Sequence, residues 1–371
     1  MPPITVMIKP VSGACNMRCR YCFYADEMKN RASAVRPPMS DETLEIVVRR
    51  ALTYAEGQAN FIFQGGEPTL RGLDFYRRLI ELQRRYGGRN VEINNMLQTN
   101  GYALSDEMIA FFAENHFLLG VSLDGCRSAH DSMRPDAQGA GTYDRVSGTI
   151  ERLERAGAAY NILCVVNAAV AARAEETLSA LSKYRYLQFI PCLDALEGEA
   201  GDYALSPRAW GEFLIRAFDF YERAFNANRA VSIRNFDDWM RVMLGGEPAS
   251  CAMIGHCSLN YLIESDGDVY PCDFYALDQW RLGNIGEGNF LRLSSSETAR
   301  RFIAQSLPVP DECRACRYGA LCRNGCRRER DKGGKSRWCA SIRMLMDARL
   351  PRMERLAQKM ARQQRKNPQP Q

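Results

Sequence analysis

The first half of the chain alternates short apolar segments with amphipathic segments, and this alternation limits the folds open to it. Segments such as DETLEIVVRRALTYAEG carry apolar residues at helical spacing between the apolar runs. Six β/α units in series predict a parallel sheet covered by helices. A closed barrel of this kind has eight units, so we predict an α/β fold with an open, partial (β/α)6 TIM-like barrel and its chemistry at the carboxyl ends of the strands. The six predicted strands are Thr5–Lys9, Asn60–Phe63, Val91–Leu97, Leu118–Leu123, Asn161–Val166 and Leu187–Ile190.

The pattern changes after about residue 236, where cysteines become dense and the predicted helices become short. The stretch YLIESDGDVYPC alternates apolar and polar positions around Asp266-Gly267, which predicts a hairpin. The last segment has helical character that we expect to break at Pro351, because proline lacks a backbone N–H. We therefore predict a barrel at 1–235, a cysteine-rich domain at 236–348, and a C-terminal helix with a basic tail at 349–371.

Composition and charge exclude several classes of protein. The 371 residues are 46% hydrophobic and 25% charged, which is typical of a soluble globular protein. The chain has no apolar run of about 18 residues that would cross a membrane, and MPPITVMIKP lacks the basic and apolar regions of a secretory signal. We therefore expect a cytoplasmic protein without a membrane partner. The net charge of +5 is spread along the chain, so we expect no nucleic-acid partner.

Three of the fourteen cysteines lie together after the first predicted strand, as Cys15, Cys19 and Cys22. Disulfides are rare in the cytosol, where clustered cysteines more often bind metal. A four-iron cluster held by three thiolates keeps one iron open for another ligand. Structural zinc requires four ligands, so the zinc alternative needs a histidine from elsewhere. The candidates for that ligand are His116, His130 and His256.

A second group of eight cysteines follows in the last third of the chain. Eight thiolates suffice for two four-iron clusters without an open site. They also suffice for two zinc sites, and spacing alone leaves both alternatives open. The eight residues are Cys251, Cys257, Cys272, Cys313, Cys316, Cys322, Cys326 and Cys339.

The first cysteine group resembles the hallmark of the radical S-adenosylmethionine (SAM) enzymes, C-x3-C-x-aromatic-C, with Tyr21 as the aromatic residue. The resemblance implies that the open iron binds SAM and that an electron cleaves SAM to methionine and a 5′-deoxyadenosyl radical. FIFQGGEP resembles the family motif that contacts the amino group of SAM. Without the resemblance, each of these features has a structural alternative. The motif could be an ordinary turn, Arg134 a surface arginine and Leu193 a core leucine. The resemblance assigns to SAM the residues Tyr21, Gly65, Gly66, Glu67, Ser122 (ribose), Arg134 (carboxylate) and Leu193 (adenine).

The second group resembles the SPASM domain, an extension of radical SAM enzymes that modify peptides and proteins. The resemblance implies two auxiliary 4Fe-4S clusters, and hence three such clusters in total. In that family the ligands of the two clusters alternate along the sequence. It assigns Cys251, Cys257, Cys272 and Cys326 to the first auxiliary cluster, and Cys313, Cys316, Cys322 and Cys339 to the second.

Further motifs resemble those of the anaerobic sulfatase-maturating enzymes, and the resemblance covers nearly the whole chain. Among these motifs are FQGGEPTL, LQTNG, ESDGDVYPCDFY and WRLGNI. The resemblance implies an enzyme that oxidises a cysteine, or a serine, of an unfolded sulfatase polypeptide to Cα-formylglycine. It makes Asp273, in PCDFY, the base that takes the substrate proton, where the residue alone could be a surface aspartate. It implies a flavodoxin- or ferredoxin-like electron donor. The expected peptide contacts are Tyr24, Gln64, Gln98 and Asn235.

Two alternatives remain at this point. The first is another SPASM peptide maturase that forms thioether or carbon–carbon crosslinks. Such enzymes usually carry a separate N-terminal peptide-binding domain, and a cluster loop that starts at Cys15 leaves no room for one. The second is a non-catalytic iron–sulfur electron carrier or a zinc-bound interaction protein. The three-ligand site and the Gly65-Gly66-Glu67 turn argue against it.

Overall fold

The computed structural model describes residues 2–33, 36–197, 201–229 and 231–366, with side chains as far as residue 363. Within these ranges a single sheet of ten strands forms the centre of the molecule. The strands are β1 Ile4–Ile8, β2 Gly57–Phe63, β3 Val91–Thr99, β4 Leu118–Ser122, β5 Tyr160–Val166, β6 Tyr186–Pro191, β7 Ser232–Ile233, β8 Tyr261–Ile263, β9 Asp268–Tyr270 and β10 Gly283–Asn284.

Helices follow most of the strands, as a β/α succession requires. The α-helices are α1 Phe23–Lys29, α2 Asp41–Tyr54, α3 Leu73–Tyr86, α4 Asp106–Glu114, α5 Arg127–Met133, α6 Tyr143–Arg155, α7 Ala168–Ala172, α8 Ala174–Leu181, α9 Pro207–Asn226, α10 Arg234–Met243, α11 Phe290–Ser294, α12 Glu297–Ala304, α13 Asp311–Arg314, α14 Gly319–Cys322 and α15 Cys339–Lys366. Short 3-10 helices lie at Pro68–Arg71, Cys251–Met253, Asp273–Tyr275, Asp278–Trp280 and Arg327–Glu329.

The strand order is β10-β9-β8-β1-β2-β3-β4-β5-β6-β7, and β8 and β1 to β7 run parallel. The hairpin β8–β9 is antiparallel, with Leu262 opposite Tyr270. β10 and β7 are the two edges of this sheet, so the sheet is open rather than closed. All six predicted strands of the partial barrel and the predicted hairpin are confirmed. The carboxyl ends of β1 to β6 therefore meet at one rim.

The sheet buries one face against the helices. Val6, Phe61, Val121 and Cys164 are at most 1% exposed, whereas alternate residues such as Met7 are only half-buried. This alternation follows from the two-residue period of a strand, with one face in the core and the other towards the interior of the open barrel. Cys164 is therefore a core residue and not a ligand.

The predicted break at Pro351 is wrong, because α15 runs unbroken from Cys339 to Lys366 with this proline inside it. Proline costs the helix one backbone hydrogen bond, but packing against α9 offsets the loss. Met353 and Leu356 are buried there. On either side of the proline, Arg349 and Arg352 pair with carboxylates of α9, Asp219 and Glu222.

The two larger predicted domains are joined rather than separated in this structure. α10 crosses the predicted boundary at residue 235, and β8 of the second region pairs with β1 of the first. α15 likewise crosses the predicted boundary between 348 and 349. The end of the predicted basic tail, 367–371, lies outside the described residues. None of the helices in the described part of the chain has the length and apolar character needed to cross a membrane.

Candidate active site

The first cysteine group lies in the loop between β1 and α1, at the rim formed by the strand ends. Cys22 directly precedes α1, and its backbone N–H bonds the carbonyl of Cys19 at 3.2 Å. Burial is the main reason that the pKa of Cys19 is raised to about 12; Arg134 opposes the rise, and the thiols of Cys22 and Cys15 contribute to it. The Cys15 Sγ accepts from the Asn100 amide at 3.6 Å. The structure thus brings the three predicted ligands together.

The Gly65-Gly66 turn lies against this loop. A Cβ on Gly66 would lie 2.2 Å from the Ala14 carbonyl oxygen, and Gly66 has a φ of +54°. The Glu67 N–H donates to that same oxygen at 2.8 Å. Only glycine allows so close an approach in this backbone region. The turn therefore sets the position of the cluster loop through the main chain.

The side chain of Glu67 is buried between the ends of two strands. Its carboxylate is 1% exposed and accepts from Thr69 Oγ1 at 2.6 Å, Thr99 Oγ1 at 2.9 Å and the Asn100 N–H at 2.7 Å. These donors fix the carboxylate inside the protein and tie the ends of β2 and β3 together. The predicted contact of the Gly65-Gly66-Glu67 motif with the amino group of SAM stays a prediction.

Tyr21 and Arg134 form a buried polar group beside the cluster loop. The Tyr21 hydroxyl bonds Asp124 and accepts from Arg134 Nη1 at 2.8 Å. Burial tends to lower the pKa of Arg134, but Cys19, Tyr21 and Asp124 outweigh this and raise it. Arg134 is 5% exposed, and within the described ranges its Nε has no partner. A buried guanidinium with a free N–H beside the loop suits a carboxylate ligand such as that of SAM.

The other predicted SAM contacts lie at the ends of β4 and β6. The Ser122 hydroxyl, in the last residue of β4, accepts from the Gln98 amide at 3.1 Å. Leu193 is half-buried in the segment that follows β6. Both therefore lie at the rim that the first cysteine group occupies, as the sequence predicts.

The eight C-terminal cysteines form the two groups that the sequence predicts. Burial raises the pKa of the thiols in the first group. The pKa of Cys326 is raised further by Cys251 and Cys257, and the pKa of Cys272 is raised further by Cys326 and Cys251. In the second group, burial and then Cys339, Cys313 and Cys316 raise the pKa of Cys322. Such mutual effects require that the thiols lie close together.

The second group of cysteines lies around a cavity. The four thiols of the second group line a cavity of about 480 Å³. All fourteen cysteines are free thiols. In the described ranges, no three His, Cys, Asp or Glu side chains are placed to surround a single metal ion. A cavity lined by four cysteines is suited to a four-iron cluster.

Asp273 begins a short 3-10 helix directly after Cys272. Its Oδ2 accepts from the Tyr24 hydroxyl at 3.0 Å, while its Oδ1 is buried and has no partner in the part of the chain that the structure describes. Burial raises the pKa of Asp273 to about 6, although the Lys9 ammonium opposes the shift. A carboxylate with one fixed oxygen and one free oxygen can accept a proton from a substrate held next to it.

The predicted peptide contacts divide into two kinds. Gln64 and Gln98 end β2 and β3 at the rim, and their amides bond Met7 Sδ and Ser122 Oγ at 3.1 Å each. Asn235 is different, because its amide donates to the Phe189 carbonyl at 2.9 Å and accepts from the Phe189 N–H at 3.0 Å. Both polar atoms of Asn235 are committed to β6, so its predicted contact with the peptide is not supported.

A group of buried charges at this site was not predicted from the sequence. Lys9 Nζ pairs with Glu27 Oε2 at 3.4 Å and Glu264 Oε1 at 3.2 Å, and all three residues are at most 2% exposed. Arg31 also pairs with Glu264. A lysine at the end of an apolar strand was the available signal for this group. Its partners lie up to 255 residues away, so only the fold reveals the pairing.

Comparisons with known proteins agree with this geometry. The Radical SAM superfamily model matches residues 10–170, and the SPASM model, an iron-sulfur cluster-binding domain, matches residues 255–317. With the partial barrel and the three cysteine groups, these matches define a radical SAM enzyme with a SPASM domain. Its cofactors are three 4Fe-4S clusters and SAM.

The similar proteins narrow the class further. A cysteine-type anaerobic sulfatase-maturating enzyme of Clostridium perfringens is 41% identical over 367 residues, covering 96% of this chain and 99% of that protein. A serine-type enzyme of Bacteroides thetaiotaomicron is 32% identical, covering 88% and 83%. The solved structure of native anSMEcpe with bound AdoMet and Cp18Cys peptide has a TM-score of 0.92 at 39% identity, covering 97% of this chain and 100% of that one. The chain belongs to the family of anaerobic sulfatase-maturating enzymes.

Proposed function

We propose that this enzyme oxidises a cysteine of an unfolded sulfatase polypeptide to Cα-formylglycine. The observation that carries the proposal is the buried Asp273 carboxylate, which Tyr24 fixes on one oxygen and which has no partner on the other oxygen among the described residues. The cysteine rather than the serine substrate is supported by the identity of 41% to a cysteine-type enzyme against 32% to a serine-type enzyme.

The reaction removes two hydrogens from the substrate side chain and separates them. When bound, SAM and its cluster supply the radical that takes a hydrogen atom from Cβ, and the auxiliary clusters supply an acceptor for one electron. Asp273 accepts the thiol proton through its free Oδ1. The loss of one hydrogen atom, one proton and one electron converts the CH2–SH group to a thioaldehyde. Water then replaces sulfur, releasing hydrogen sulfide and giving the aldehyde.

Other residues of the chain bind and orient the reactants. Cys15, Cys19 and Cys22 would hold the cluster that binds SAM, and the buried guanidinium of Arg134, whose Nε has no partner among the described residues, would bind the SAM carboxylate. Ser122, the last residue of β4, would contact the ribose. The two C-terminal cysteine groups hold the auxiliary clusters. Tyr24 keeps the Asp273 carboxylate from rotating.

The electron donor and the compartment also belong to the proposal. An enzyme with an open four-iron cluster needs a one-electron reductant of low potential, so we infer a flavodoxin- or ferredoxin-like partner. Cysteines that must remain thiolates suit a reducing compartment, and we infer that the enzyme acts in the cytoplasm. The same conditions keep the substrate cysteine reduced.

The test is an anaerobic assay of the reconstituted protein with SAM, a reductant and a peptide containing Cys-x-Pro-x-Arg. We expect 5′-deoxyadenosine together with a peptide whose mass has changed by conversion of cysteine to formylglycine. A peptide with serine in place of cysteine is the matched comparison and should react more slowly. Cleavage of SAM with both peptides unchanged would contradict the proposal and favour another peptide maturase.

A further inference from the structure

The buried charged side chains around Lys9 lie between the proposed base, Asp273, and the barrel elements β1, α1 and β8. Lys9 directly follows β1 at the rim, and its backbone N–H donates to the Ile263 carbonyl of β8 at 2.9 Å. Its ammonium then reaches one carboxylate on α1, Glu27, and one at the end of β8, Glu264. One side chain therefore connects the cluster loop with the hairpin that precedes Asp273.

The group holds more acidic than basic side chains, and burial raises the pKa of Glu27 to about 7, with Lys9 opposing the rise. It contains three carboxylates, Glu27, Glu264 and Asp273, and two cations, Lys9 and Arg31. Burial alone lowers the pKa of Lys9, but Glu264, Glu27 and Asp273 outweigh burial and raise it, so the side chain stays an ammonium. A buried ion left without its partner destabilises a protein strongly. Lys9 is therefore needed to keep the carboxylates in place.

Lys9 also contacts Tyr24 directly. Its Nζ lies 4.7 Å from the centroid of the Tyr24 ring, within the range of a cation–π interaction. The hydroxyl of that ring is the donor to Asp273 Oδ2. On the far side, Glu27 Oε1 accepts from the Ala276 N–H at 3.2 Å, which fixes the end of the segment that starts at Asp273. Lys9 thus acts on both ends of this segment.

The chain makes room for this lysine. A Cβ on Gly65 would lie 2.3 Å from Lys9 Cγ and 2.8 Å from its Cδ and Cε. The first glycine of the turn therefore allows the lysine stem to pass between β1 and β2 to the buried carboxylates. This contact is independent of the role of Gly65 beside SAM.

We propose that Lys9 is a positioning residue, whose buried ammonium orients Tyr24 and the Asp273 segment so that the base faces the substrate thiol. The inference rests on the proposed function. It predicts that loss of the ammonium separates the two halves of the reaction. SAM cleavage at the Cys15 loop continues, whereas proton removal at Asp273 fails.

The experiment compares Lys9→Met with the double variant Lys9→Met/Glu27→Gln. The single change leaves three carboxylates with one cation, while the double change restores an excess of one carboxylate. Lys183→Met is the control, because Lys183 also lies over a tyrosine, Tyr184, at 5.1 Å but is exposed in the turn that precedes β6. Formylglycine, 5′-deoxyadenosine and thermal unfolding are measured for each. Hydrogen exchange of the Ala276 amide is measured for the wild type and Lys9→Met.

A misplacement of about 1 Å costs on the order of 100-fold in a positioned reaction, so we expect about that loss in formylglycine per 5′-deoxyadenosine in Lys9→Met. The double variant should regain thermal stability without regaining this ratio, and Lys183→Met should match the wild type. If the double variant recovers both stability and ratio, or Lys9→Met keeps the wild-type ratio, the positioning role is wrong. If Lys9→Met folds poorly, the product ratio of the double variant, which is expected to regain thermal stability, decides between these outcomes.

Failure of the proposed function is a separate result. It would appear as a wild-type enzyme that cleaves SAM and leaves the peptide unchanged. The Lys9 proposal is then decided by exchange of the Ala276 amide, which should be faster in Lys9→Met. Unchanged exchange would overturn it.

Discussion

Replacing Asp273 with asparagine should separate SAM cleavage from peptide oxidation. Asparagine keeps an oxygen that can accept from Tyr24, so the hydrogen bond at 3.0 Å is retained. It cannot accept the substrate proton. A positioned general base contributes about 10²- to 10⁴-fold to a rate. At 1.36 kcal/mol per tenfold change, this corresponds to about 3 to 5 kcal/mol in the activation free energy of the step.

The same substitution should not unfold the protein. The pKa of Asp273 is raised from 3.8 to about 6, chiefly by burial. At pH 7 this makes the buried carboxylate cost about 3 kcal/mol relative to the unfolded chain, at 1.36 kcal/mol per pKa unit. A neutral amide removes that cost. We therefore expect the free energy of unfolding to stay the same or rise.

The assay counts both products from one anaerobic reaction with a cysteine peptide. We expect 5′-deoxyadenosine at the wild-type rate and formylglycine lowered by about 10²-fold or more. Formylglycine at the wild-type ratio to 5′-deoxyadenosine would refute the assignment of Asp273 as the base. Loss of both products from a folded protein with full iron content would show that Asp273 acts in SAM cleavage instead.

Four further predictions follow from the same geometry. Formylglycine yield should fall as the pH drops through about 6 while SAM cleavage persists, because protonated Asp273 cannot accept a proton, and a pH profile of both products checks this. Gly65→Ala should lower the melting temperature, since the new Cβ would lie 2.3 Å from Lys9 Cγ at a φ of +80° and a left-handed backbone alone costs about 1–2 kcal/mol. Asn235→Ala should cost about 1–3 kcal/mol in unfolding free energy through the two lost bonds to Phe189, and should leave the KM for peptide unchanged. Cys316→Ser should lower the iron content measured by a colorimetric assay, because a 4Fe-4S cluster needs its four thiolates, and unchanged iron would exclude Cys316 as a ligand.

Much of this fold was predictable because its signals are local. Each strand of the barrel is a short apolar run between turn residues, and the hairpin β8–β9 is marked by Asp266-Gly267. The cysteine triad is likewise local, since its three members fall within eight residues. The error at Pro351 arose because a proline is a local signal that packing against α9 overrides.

The parts that were missed depend on pairing across the chain. The sequence motif places Glu67 at the rim, but only the fold shows that its carboxylate is bonded by Thr99 and Asn100 of a neighbouring strand end. The Asn235 side chain is polar and near the rim, and only the fold shows that it is bound to β6. Lys9 and Glu264 are 255 residues apart, and although Glu264 begins the ESDGDVYPCDFY motif, nothing in that motif indicates that it pairs with Lys9. Charge pairing in a core is set by tertiary structure, which spacing does not encode.

The central claim is that the substrate's Cβ hydrogen passes to the adenosyl group while Asp273 takes the thiol proton. The most direct measurement uses a peptide whose target cysteine carries deuterium at both Cβ positions. The account predicts one deuterium in each 5′-deoxyadenosine and one left in each formylglycine, with equal amounts of the two products. Unlabelled 5′-deoxyadenosine, with both deuterium atoms still in the peptide, would contradict it.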